Sequence, residues 1–164
     1  MFLVDSNILI EAKNRYYAFD IAPGFWTWLE YAHQQGSVCS IEAVRDEILE
    51  GDDELAERTE RNAGFFKPID QPTTSHFTTL SAWATSRDYS AEAIAAFTGN
   101  HADFLLVTYA CEHRLTVVAH ERSRPHSKKR ILIPDACLEM GVDTVDTFQM
   151  LRRTGVILDL VAPT

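Results

Sequence analysis

Residues 2–13 read Phe2-Leu3-Val4-Asp5-Ser6-Asn7-Ile8-Leu9-Ile10-Glu11-Ala12-Lys13, a short apolar run that stops at an acid and gives way to a helical pattern. Three consecutive apolar residues suit a strand buried on both faces. Ser6 and Asn7 are available as helix caps before a helix from Ile8 to Lys13. The pattern recurs along the chain. Ser37-Val38-Cys39-Ser40 precedes a helix over Ile41 to Glu50, and Leu115-Thr116-Val117-Val118-Ala119 follows an apolar helix, Ala102 to His113, opened by Asn100. Phe25 to Gln35 is helical by its spacing of Phe25, Trp28, Leu29 and Ala32, and Gly36 stops it. Asp52 to Arg61 reads as an exposed, highly charged helix; Phe77 to Ser86 and Ala91 to Phe97 are further helices, and Asp146 starts a last one. Pro68 to Thr74 reads as a loop, and Ile131-Leu132-Ile133 as a short strand closed by Pro134. Short apolar strands alternating with helices predict an α/β fold with a parallel sheet covered on both faces. No repeat or Ser/Gly linker interrupts residues 1–164, which read as one domain.

Composition excludes several classes. Hydrophobic residues make up 46% of the chain, enough for a real core, and no apolar run approaches the roughly 20 residues of a membrane span. Met1 to Asp5 lacks the basic lead and long apolar stretch of a signal peptide. Cys39, Cys111 and Cys137 are far apart, with no C-x-x-C pair, as expected of reduced core thiols in a cytoplasmic protein. Fifteen basic residues against 24 acidic ones give a net charge of −9, the wrong sign for a protein that simply coats nucleic acid. A local basic patch can still meet phosphates if nearby carboxylates hold metal ions.

In a doubly covered parallel sheet the site lies at the carboxyl ends of the strands, near the point where strand order reverses. Asp5 and Glu121 stand at such ends. Asp5 can be an ordinary helix cap, but Ser6 and Asn7 can do that work and leave it free. The helix over Ile41 to Glu50 carries Glu42, Asp46, Glu47 and Glu50. At about 100° per residue, Ile41, Val44 and Ile48 form one stripe, and Glu47 lies about 90° from its centre, nearer than the others and so best placed to turn inward. Asp103 follows Asn100-His101-Ala102, which resembles an acidic capping box, and the same placement aims a carboxylate from the first turn of an apolar helix. Glu121 leads into a basic loop, where pairing with Arg122 or Arg124 is the ordinary expectation.

Gathered carboxylates repel unless protonated or neutralised, and Mg²⁺ or Mn²⁺ is the natural partner of such hard oxygen ligands. Other catalytic machinery is missing: there is no nucleophile elbow, no phosphate-binding P-loop and no glycine-rich dinucleotide turn. The six histidines form no H-x-x-x-H pair, although His101 and His120 flank the proposed acids.

Val4-Asp5-Ser6-Asn7, Val44-Arg45-Asp46-Glu47-Ile48, Ala102-Asp103 and Val118-Ala119-His120-Glu121 together resemble the acidic motifs of PIN domains. Asn14 to Asp20, Pro23-Gly24-Phe25-Trp26 and Ile133-Pro134-Asp135-Ala136-Cys137 resemble a subfamily of small stand-alone PIN-like proteins, so the likeness runs over nearly the whole chain. It implies a three-layer α/β/α fold and a nuclease using Mg²⁺ or Mn²⁺. Asp5, Glu47, Asp103 and Glu121 would be the metal-site acids and Asn7 a polar member of the site. It further implies an RNA substrate and, as in many stand-alone bacterial members, a toxin held by an antitoxin; a homodimer is compatible with it. Two positions depart from the common pattern: Glu121 stands where many members have Asp, and Ala119 where many have Thr or Ser.

Arg122, Arg124, Lys128, Lys129 and Arg130, five of the fifteen basic residues, follow Glu121 directly. They are either a solvated loop or a phosphate-binding wall beside the acids. Tyr16, Tyr17 and Trp26 are candidates for stacking on bases, against core packing. Two rivals stand beside the ribonuclease reading. One is a non-catalytic module of the same fold. The other is a haloacid-dehalogenase-type phosphatase, which opens with a strand and Asp but wants a second Asp where this chain has Asn7.

Overall fold

The run Phe2–Val4 is strand β1 of the computed structural model, which describes residues 1–99 and 101–159. The chain continues through α1 (Ser6–Glu11), a π-helical turn (Ala12–Tyr16), α2 (Pro23–Gln34), β2 (Val38–Ile41), α3 (Glu42–Leu49) and α4 (Glu54–Arg61) to β3 (Phe66–Lys67). Four helices follow before the next strand: α5 (Gln71–Thr74), α6 (Phe77–Ser86), α7 (Ala91–Phe97) and α8 (Ala102–His113). Strand β4 (Thr116–Val118), α9 (Ile133–Glu139), β5 (Thr144–Val145) and α10 (Thr147–Thr154) complete the fold.

All five strands run parallel in the order β3-β2-β1-β4-β5. Leu3 pairs with Cys39 on one side and Val117 on the other, and Val4 with Val118. Leu3, Val4, Val38, Ile41, Val117 and Val118 are wholly buried, as strands covered by helices on both faces require. The chain grows outward from β1 through β2 to β3, then returns to β1's other side with β4. Strand order therefore reverses between β1 and β4, so a crevice opens where those two strands end. The Asp5 N–H donates to the Val118 carbonyl at 3.3 Å, which carries the ladder one residue past β1. At the same end, buried Ser40 donates its hydroxyl to the Val4 carbonyl at 2.6 Å.

Several sequence expectations need correction. Ile133 belongs to helix α9 rather than to a strand: Pro134 sits in the first turn, where its missing N–H costs nothing and its fixed φ suits a helix. Within Pro68 to Thr74, Gln71–Thr74 forms one helical turn capped by Asp70, whose carboxylate accepts from the Thr73 N–H. The charged helix α4 is capped by Asp53 and buries Leu55, Ala56 and Thr59, so it is only half exposed. The N-terminal helix does not run as one α-helix to Lys13, because it widens into the π turn after Glu11. Neither Ser6 nor Asn7 is the cap of α1. Asp5 occupies that position, with no side-chain capping bond of its own. Strands β3 and β5, two residues each, carry too little pattern to be read from sequence.

Ser40 ties β2 to the end of β1 in a fully buried setting. Ser40→Ala should lower the unfolding free energy by about 1–2 kcal/mol, the cost of losing a buried hydrogen bond, measured by urea denaturation with an unchanged m value.

Candidate functional site

Each proposed acid arrives from a different segment. Asp5 leaves the end of β1, Glu47 projects from α3, Asp103 sits in the first turn of α8, and Glu121 lies three residues beyond β4. Asp5 is 1% exposed. Its carboxylate accepts from Asn7 Nδ2 at 3.2 Å and from Ser6 Oγ at 3.4 Å. The two residues expected to cap the helix therefore hold the acid instead.

Burial is the main force on the Asp5 carboxyl, raising it from 3.8 to about 6. The Asn7 hydrogen bond pulls the other way, while the charges of Glu47 and Glu121 push it up further. Asp103 rises from 3.8 to about 7, first through burial, then through Asp5, Glu121 and Glu47, with Arg130 opposing. Glu47 and Glu121 thus act on both Asp5 and Asp103, and Asp5 on Asp103, so the acids lie within electrostatic reach. Contrary to expectation, Glu47 does not turn inward: it is exposed, as are Glu42, Asp46 and Glu50; it is nonetheless the α3 acid whose charge acts on the carboxyls of Asp5 and Asp103.

Glu121 is the most heavily engaged of the four. One oxygen receives Arg130 Nη2 at 2.6 Å. The other receives the Ile133 N–H at 3.1 Å, satisfying one of the orphan donors at the start of α9. Its ionic partner is thus Arg130, not Arg122 or Arg124. The basic residues disperse around the loop. Lys128 pairs with Asp88, away from the acids, and the Arg124 N–H is held by Asp135 at 3.2 Å. Arg122 shares a cleft wall with Glu121, and Lys129 is exposed. Trp26 is buried, and Tyr17 stacks on Phe25, so neither is open to a base; Tyr16 is. His101 is exposed and caps α8, the place expected for Asn100, which lies outside the described residues. Asp135, within the motif from Ile133 to Cys137, has no role assigned from the sequence; it is 7% exposed, accepts from Ser123 Oγ and anchors the start of the basic loop.

Among the described residues, no three His, Cys, Asp or Glu side chains are converged around a single point. The donor chemistry nevertheless fits a hard divalent cation. Two carboxyls are driven towards the neutral form by burial and by other carboxylates, and the carboxyl of Asp103 has no hydrogen-bond partner among the described residues. Asp5, Glu47 and Asp103 could hold such an ion, and Glu121 could join them on parting from Arg130.

The architecture is an α/β fold with a five-stranded parallel sheet between layers of helices. The chain belongs to the family described as a domain of unknown function, DUF4411, which matches residues 2–158. Its fold is similar to that of FitAB bound to an IR36 DNA fragment, at TM-score 0.55 and 17% identity over 89% of this chain and 94% of that one. It is similar also to FitAcB from Neisseria gonorrhoeae, at TM-score 0.52 and 18% identity over 88% and 96%. No curated protein matches the chain. No helix among the described residues is long and apolar enough to cross a membrane.

Raised carboxyls fix the sign of a pH effect. A group whose folded-state value exceeds its unfolded value binds its proton more tightly in the fold. Its contribution is therefore fully present below about pH 4 and is lost as pH rises through about 6 to 7. In chelator, Asp103→Asn should raise the Tm at pH 8 by about 3 °C or more, the shift that roughly 1 kcal/mol produces at this size. It should change little at pH 4. Calorimetry at the two pH values checks this.

Proposed function

We propose that this chain is a ribonuclease dependent on Mg²⁺ or Mn²⁺, the ion held by Asp5, Glu47 and Asp103 with Glu121 as an outer ligand. The observation that supports this reading is that Asp5, buried where strand order reverses, and Asp103 at the head of α8 both feel the charges of Glu47 and Glu121, acids carried by two further segments. A divalent cation bound there would lower the pKa of a coordinated water and offset charge on a phosphate. Asn7 keeps the Asp5 carboxylate oriented through its hydrogen bond. Arg130 supplies positive charge beside Glu121 and Asp103. Arg122 and Lys129 stand exposed where an approaching phosphate backbone would meet them. The likeness to FitAB and FitAcB supports a further part of the proposal, that the chain is the toxin of a toxin–antitoxin pair, bound by a protein antitoxin and able to dimerise.

Cleavage of a labelled RNA, with a DNA of the same sequence beside it, tests the activity. RNA should be cut with Mn²⁺ or Mg²⁺ and not in chelator, and Asp5→Asn or Asp103→Asn should reduce cutting to the chelator level. Mn²⁺ should also raise the Tm of the wild type but hardly that of Asp103→Asn, because the ion binds the folded cluster and not dispersed acids. Undiminished cutting by both variants would remove the proposal.

The basic loop has its own readout. Arg122→Ala and Lys129→Ala should each reduce the salt slope of RNA binding by roughly 0.7 if each side chain meets one phosphate. Lys128→Ala should alter it less, since Asp88 already holds that ammonium. Affinity measured by anisotropy across a salt series gives the slopes.

A further inference from the structure

Beside the acids lies an open cleft of about 460 Å³, bounded by the residues after β4 and the start of α10. Its size falls within the range of about 300–1,000 Å³ usual for small-ligand sites. Tyr16, His120 and Phe148 line it, with Glu121, Arg122 and Thr147 in the same wall. Tyr16 is 53% exposed and Phe148 50%, a large aromatic area to leave in water. The Tyr16 ring lies 6.1 Å from His120 and 6.4 Å from Phe148, tilted to the first and edge-on to the second. None of these contacts closes the faces of the rings. Thr147 is 4% exposed, and its hydroxyl has no hydrogen-bond partner.

Tyr16 is held out deliberately. It ends the π-helical turn that continues α1, and such turns shift side chains around a helix and are frequent at functional sites. Its neighbour Tyr17 turns the other way, stacking on Phe25 at 4.3 Å with planes only 4° apart. The Tyr17 carbonyl accepts from Trp26 Nε1 at 2.6 Å. That anchorage leaves the adjacent Tyr16 projecting into the cleft.

We propose that Tyr16 and Phe148 form a stacking subsite for an unpaired base of the RNA. This rests on the ribonuclease reading for the identity of the polymer. Every base has a π face, so stacking tolerates sequence. Arg122, exposed and lining the same cleft, matches a flanking phosphate. A duplex keeps its bases stacked on one another and cannot offer one to the cleft.

The test uses the full chain in chelator, so that binding is read without cleavage. The probe is a single-stranded oligoribonucleotide carrying 2-aminopurine, compared with its duplex. The single strand should bind with a change in 2-aminopurine fluorescence, and the duplex more weakly without one. Tyr16→Leu and Phe148→Leu should each raise Kd roughly tenfold, while Tyr16→Phe, which keeps the ring, should bind as wild type. Duplex binding as tight as the single strand, or leucine variants with unchanged Kd, would overturn the subsite, as would absence of binding; the wild-type comparison decides even if a variant fails to fold. A chain that stacks the probe yet never cuts RNA with Mn²⁺ would keep the subsite and remove the nuclease reading. Cutting of single-stranded RNA undiminished in both leucine variants would do the reverse.

Discussion

A carboxylate buried at the end of the central strand is the constraint on which the rest of this structure depends. Asp5 is fixed by its backbone bond to Val118 and by the helix that starts immediately after it. Its side chain has nowhere to escape to water. Ser6 and Asn7 offset part of the desolvation, yet the group remains well above the usual carboxylate range. Because β1 is paired on both sides, every element that reaches this end of the sheet must accommodate that acid. Asp103 at the head of α8, Glu47 on α3 and Glu121 beyond β4 add charge of the same sign, and Arg130 is the cation that answers it. Such an arrangement costs stability, since carboxylates dispersed over the surface would repel far less.

The sequence made the centre of the fold and the positions of Asp5 and Asp103 readable for a simple physical reason. A three-residue apolar run followed by an acid, and an acid in the first turn of an apolar helix, are local patterns, and Asp5 and Asp103 sit in them. The angular argument for Glu47 expected an inward-turned acid, and its side chain is exposed instead, although its charge acts on the other two. What escaped were features set by distant partners. Arg130 meets Glu121 across a nine-residue loop, so no spacing rule favours it over Arg122. Ile131-Leu132-Ile133 has the composition of a strand, but Pro134 and the Glu121 carboxylate together set the start of a helix there. Phe148, on a charged-looking terminal helix, acquires meaning only when α10 is seen to open onto the ring of Tyr16.

The split behaviour of Tyr16 and Tyr17 shows how one turn of unusual helix sorts neighbouring aromatics. Without the extra residue per turn, α1 would continue its ordinary period through this region and the two rings would be set at different angles. The core side of the pair is fixed by an aromatic stack and an indole hydrogen bond. The solvent side, beyond its own contact with Tyr17, is held only by looser ring contacts with His120 and Phe148.

The basic loop carries no regular secondary structure between Glu121 and Leu132, and most of its residues face water. It is nevertheless sewn down along its length. Asp135 grips Ser123 and the Arg124 backbone, the Lys128 carbonyl accepts from the Ser90 N–H at 2.8 Å while its ammonium meets Asp88, and Arg130 ends the loop on Glu121. Its backbone has therefore already lost most of the freedom that free chain retains. A polyanion meeting Arg122, Arg124 and Lys129 would have only their side chains left to order, so charge in this loop converts into affinity more efficiently than the same residues on a floppy tail.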